Sequence, residues 1–145
     1  MELINFDIRK NLEELESMGN VGHKSSIVSR GQKLRKIAVK DFSNAELRTM
    51  IEQNSSLKYL LPLAISRLHV DSLLKGEGYE GDMLNAVLTV EKKFWMDDLR
   101  GYIPIMVAII ETALAVANSK PTSYEKFLQH SSGAIRIFKV NVGLM

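Results

Sequence analysis

The chain contains no cysteine, which excludes a disulfide framework, a thiolate zinc site and a cysteine nucleophile, and mildly favours a reducing compartment. It also lacks a large excess of one charge: 19 basic against 17 acidic side chains leave a net +2. That is too little for the broad positive field of a dedicated nucleic-acid binder, so any binding site is local. No basic start followed by an apolar core opens the sequence, since Glu2 and Asp7 interrupt residues 1–10, so a secretory leader is not expected and a cytoplasmic protein is. The most apolar run, 102–117, is shorter than the roughly 20 residues a bilayer requires and holds Pro104 and Glu111, so it reads as a buried helix with no membrane partner. No repeat of period about 20 to 50 residues is visible, which argues against a solenoid.

What is present is an ordinary globular composition. The 145 residues are 46% hydrophobic and 25% charged, enough for one domain, 1–145, that buries about two thirds of its unfolded surface. Helical spacing of Ile8, Leu12, Leu15 and Met18 predicts a first helix over 5–18, stopped by Gly19 and Gly22. Ser43 and Glu46 form a capping box for a second helix bearing Leu47, Met50 and Ile51. Ser55 or Ser56 opens a third through Leu68, with Pro62 most comfortable near its first turn. Asp82 is placed to cap a fourth, with Leu84, Val87 and Leu88 inward. Phe94 and Trp95 start a short helix or turn. A fifth long helix is expected over 103–118, burying Met106, Ile109, Ile110, Ala113, Leu114 and Ala117. Thr122 and Glu125 make a second capping box, ahead of a helix with Phe127 and Leu128. From Ile135 to Val142 the alternation suggests an extended tail, which pairs with the 36–40 stretch, extends a helix or joins a partner's sheet edge. The expected fold class is all-α: an irregular single-domain helical bundle of five or six helices with a short extended C-terminal segment.

Charge is unevenly placed. Residues 20–40 carry six basic side chains and no acidic one, whereas 71–98 carry seven acidic against three basic, a local −4. Each block is a solvated face or a docking patch for a charged partner. The basic block has no aromatic residue to stack a base and no reading helix, so nucleic acid is not the expected partner.

Catalytic chemistry finds few candidates. His23, His69 and His130 stand alone, without a second ligand at helical spacing, so no metal site is expected. Asp97 and Asp98 are adjacent and would face different sides of a helix. The glycine-rich run 76–81 lacks the lysine of a phosphate loop, and its two glutamates would repel phosphate. No catalytic residue, cofactor or small-molecule substrate is therefore expected. Read as a surface, Glu77, Tyr79, Glu80 and Asp82 offer three carboxylates and a phenol on a connection that can turn sharply, which suits the gripping of a basic protein. An equally open reading folds Tyr79 back onto the core and leaves the glutamates simply solvated.

The segment Leu47 to Ala64 (LRTMIEQNSSLKYLLPLA), followed by Gly76 to Leu84 (GEGYEGDML) and by Phe94-Trp95, resembles immunity proteins of bacterial contact-dependent growth inhibition systems over about 35–95. The chain departs from that pattern with Glu52 where a glycine is usual, Ser72 where a proline is common, Lys75 where an acid is common and Gly78 where an aromatic is common. The resemblance implies a small cytoplasmic, non-catalytic protein that binds and neutralises the C-terminal toxin domain, frequently a nuclease, of a delivered exoprotein. A helical adaptor or regulatory subunit sharing the helix pattern is the alternative, and an enzyme site assembled from residues distant in sequence is the third reading.

Overall fold

The computed structural model describes residues 3–17, 34–96 and 99–145. Among them are seven α-helices: α1 (Leu12–Ser17), α2 (Asn44–Glu52), α3 (Leu57–Val70), α4 (Asp82–Leu88), α5 (Lys92–Trp95), α6 (Ile103–Ser119) and α7 (Glu125–Asn141). Two single 3-10 turns, Val39–Asp41 and Arg100–Tyr102, complete the order, and no strand occurs among the described residues. The all-α expectation holds, with one or two more helices than the five or six expected, because the Phe94-Trp95 segment, expected as a short helix or turn, is a helix.

α4 is the central element. All seven of its residues are buried, and it packs on α2, α3 and α7. The buried apolar residues form one continuous cluster running from Leu12 to Phe138. Trp95 anchors it against α7, its indole edge-on to Phe138 with ring centroids 5.2 Å apart.

Local chemistry explains most boundaries. The Ser43 capping box forms as expected: the Ser43 hydroxyl accepts from the Glu46 N–H at 3.0 Å, and the Glu46 carboxylate accepts from the Ser43 N–H at 2.9 Å. The Thr122 box does not form, because residues 121–124 are spent in a turn and α7 begins at Glu125 without a side-chain cap. Ser56 precedes α3 in the left-handed region, φ 53°, and its hydroxyl donates to Glu16 at 2.8 Å instead of capping the helix. Pro62 lies in the second turn of α3 rather than the first, buried among Leu60, Leu61 and Leu63.

Other expectations are corrected as well. The first helix is confined to Leu12–Ser17 within the described residues, and the chain from Asp7 to Asn11 instead runs beside 38–40, with N–H groups of Val39 and Lys40 donating to the carbonyls of Lys10 and Ile8 at 2.9 Å. The supposed extended tail is helical to Asn141. Phe127, Ser131, Ala134 and Phe138 recur at spacings of four, three and four and are the residues that bury, so the 3.6 period wins. Ile137 and Val140, which produced the apparent alternation, stay about half exposed. The apolar run also extends further than expected, because the 3-10 turn continues it to a 20-residue helical stretch, Arg100–Ser119. By length and composition this one stretch among the described residues meets the requirement for a membrane span; in the fold, Met106, Ile109, Ile110, Ala113 and Ala117 are buried and α6 packs on α3 and α7. Leu114 is only half-buried.

Gly133 sits inside α7 with open space where a Cβ would be. Replacing it with alanine removes glycine's backbone entropy penalty without a clash. Gly133→Ala is expected to stabilise the protein by about 0.5–1 kcal/mol, read as a higher urea midpoint at unchanged slope.

Candidate partner-binding site

The connection between α3 and α4 is built around one carboxylate. Asp82, the first residue of α4, is only 1% exposed, and its side chain turns back under residues 76–79. One oxygen accepts from the Gly76 N–H; the other accepts from Glu77 at 3.0 Å, Gly78 at 2.7 Å and Tyr79 at 3.3 Å. Four successive backbone donors thus close on an internal anion, an arrangement that fixes the loop without regular secondary structure. Burial pushes the Asp82 carboxyl upward, but these four donors outweigh it and hold its pKa below the ordinary value.

Arg48 of α2 supports the anion from below. Its Nε lies 3.6 Å from the Asp82 carboxylate, while its terminal nitrogens meet Glu52 at 3.0 Å and Glu77 at 4.0 Å. Its stem passes directly under Gly76, where an added Cβ would lie 2.8 Å from Arg48 Cδ and 3.1 Å from the Asp82 carboxylate. Glycine is required there by close approach. Glu52, the departure from the usual glycine, is thus the (i, i+4) partner of Arg48.

The four candidate residues separate into different roles. Asp82 is inside. Glu77 is outside, with 63% of its side chain exposed, and faces the Arg48 side. Tyr79 is half-buried against the core: its hydroxyl accepts from the Asn85 amide at 3.0 Å, and its ring lies over His130 of α7, centroids 5.7 Å apart. It therefore does fold partly inward, while Glu80 is exposed. Asp82 was expected to cap α4 from the flanking position; Gly81 occupies that position instead, at φ 97°.

Around Tyr79 and Glu80 the fold adds residues far away in sequence. Lys75, Tyr79 and Glu80 share a shallow groove of about 330 Å³ with Tyr124, Glu125 and Lys126. Glu80 and Tyr124 also border a second groove, of about 390 Å³, whose other walls are the end of α3 and the middle of α6. Sequence reasoning missed Arg48 and the 122–126 wall. A signal for Arg48 existed in its (i, i+4) spacing to Glu52; none existed for the wall, which only the docking of α7 on α4 supplies.

The remaining candidates do not join this site as a reactive cluster. His130 serves as a ring contact for Tyr79, and His69 is exposed beside the second groove. Among the described residues no group of three or more His, Asp or Glu side chains could hold a metal ion. His23, Asp97, Asp98 and most of the basic 20–40 block lie outside the described residues. Of that block, Arg35 is paired with Glu16.

No curated protein and no solved structure matches the chain. The model of one family does, over residues 10–102, which takes in the capped α2, the α3 helix, the Asp82-centred loop and the Phe94-Trp95 turn. That is well over half of the sequence, and the chain belongs to the family of CDI immunity proteins.

Proposed function

We propose that this protein neutralises, one to one, the cognate C-terminal toxin domain of a contact-dependent growth inhibition exoprotein, and that the toxin is a nuclease. The observation that carries this reading is the Asp82 cradle within a chain of the CDI immunity family: a buried anion holds an exposed acidic loop in a fixed shape. Such preorganisation favours tight binding, because little loop entropy remains to be lost on association. Glu77, Tyr79 and Glu80 supply the contact surface and Asp82 acts from beneath it. A nuclease must carry basic side chains to meet phosphates, and an acidic loop is the electrostatic complement of that face. Inhibition is by obstruction in the cytoplasm, with no reaction performed and no cofactor, nucleic acid, membrane or small molecule as partner. The covered area for such a complex is roughly 1,200–2,000 Å².

Co-expression with the toxin domain encoded beside this gene tests the reading. Cells are expected to survive that toxin and not an unrelated one; death in both cases overturns the proposal. With purified components, Glu77→Ala combined with Glu80→Ala is expected to slow association about tenfold at low salt and flatten its salt dependence. Unchanged association kinetics would remove the loop from the interface.

A further inference from the structure

The second groove beside Glu80 has a composition that the acidic loop alone does not explain. Its floor is apolar and buried, made by Leu68, Leu73 and Ile109. At its rim stand two carboxylates, Asp71 and Glu80. Asp71 spends one oxygen on the Leu73 N–H at 3.2 Å, and Glu80 has no hydrogen-bond or ion-pair partner among the described residues. No lysine or arginine lines this groove, whereas Lys75 and Lys126 sit with the carboxylates of the neighbouring one. Val70, at the end of α3, is 87% exposed on its border, an apolar side chain left in water beside an apolar floor.

We propose that this groove receives one long basic side chain, arginine or lysine, of the bound toxin. The inference rests on the reading of the chain as a toxin inhibitor. An apolar floor with anions only at the rim matches the anatomy of these side chains, whose methylene stem buries while the cationic head stays at the edge. The volume of about 390 Å³ is ample for one such side chain and the backbone turn that bears it. Seated there, the head would meet Asp71 and Glu80, and the backbone beside it would cover Val70. A phosphate-contacting side chain withdrawn into this groove is lost to the nuclease, so binding and inhibition coincide.

The test uses the full chain and the toxin domain encoded beside it, with binding kinetics measured for wild type and four variants. Asp71→Asn with Glu80→Gln removes both charges while keeping shape and the Leu73 contact. Thr112→Arg places a guanidinium on the exposed wall of α6 so that the groove fills itself. Ala108→Trp blocks the groove with bulk. Urea unfolding is measured for each variant to establish folding. The neutral pair is expected to weaken affinity 10- to 100-fold, chiefly through faster dissociation, and Thr112→Arg at least 100-fold. Lys58→Ala, at the opposite end of α3, is expected to bind as wild type. Wild-type chain that fails to bind the toxin overturns the inhibitor reading itself. Tight wild-type binding that the folded neutral pair and either filling variant leave unchanged overturns the groove alone.

Discussion

Gly81→Ala is expected to lose about 2–5 kcal/mol of stability, the sum of a left-handed backbone that a Cβ opposes and of overpacking in the core. Gly81 has φ 97°, and a Cβ built on it would lie 2.4 Å from Phe127 Cδ1, 2.8 Å from Cγ and 3.0 Å from Cβ. The clash is with the root of that side chain as well as its ring, so a rotamer change of Phe127 does not relieve it. Phe127 is fully buried and cannot retreat into solvent. Gly81 marks the point where the loop hands over to α4, so the strain falls on the contact between α4 and α7. Urea denaturation at equal slope should show the loss as a lower midpoint. A change below about 1 kcal/mol would mean that α7 shifts away from Gly81 at little cost.

Asp82→Ala is expected to cost about 3–5 kcal/mol, because it leaves four inward N–H groups and the Arg48 guanidinium facing a void where an anion stood. Asp82→Asn should cost less, since one acceptor oxygen and the side-chain volume persist. Its effect is pH-dependent, and the sign follows from the lowered pKa of Asp82 in the folded protein. A carboxyl depressed on folding contributes stability that is complete above the ordinary aspartate value of about 3.9 and is lost as pH falls through the depressed value. The stability gap between wild type and Asp82→Asn is therefore expected to be constant near neutrality and to shrink in acid. Taking the difference between the two proteins cancels the other carboxylates, which titrate in both. A gap independent of pH down to acid unfolding would show that the charge on Asp82 contributes nothing and that the hydrogen-bond geometry alone matters. Under the proposed function, Asp82→Asn should also weaken toxin affinity, since a looser loop must be ordered again at each encounter.

Local rules read much of this fold correctly. The Ser43 capping box, the apolar stripes of α2, α3 and α6 and the Phe94-Trp95 turn depend on neighbours within one or two helical turns, and all are present. Where two local patterns competed, spacing alone did not decide. The Ile135 to Val142 segment carries both a two-residue and a 3.6-residue period, and the helix prevails because Phe138 gains Trp95 as a packing partner. Ser56 and Thr122 had the chemistry of caps, yet the first hydroxyl is engaged by Glu16 and the second lies in a turn.

The same division runs through the proposed binding surface. Glycines, acids and a tyrosine between two helices are visible in order along the chain, and family membership follows from that order. Which carboxylate points out is a separate matter. Asp82 and Glu80 are two residues apart and chemically almost alike, but one is buried beneath four N–H groups and the other is exposed between two grooves. Composition and periodicity were enough for an all-helical chain with an acidic connection, because helix formation and charge are properties of short stretches. The inward turn of Asp82 draws its donors from only three to six residues away, but composition and periodicity do not show which way a side chain turns. The support from Arg48 and the wall at Tyr124 required the folded chain, because those partners lie dozens of residues away.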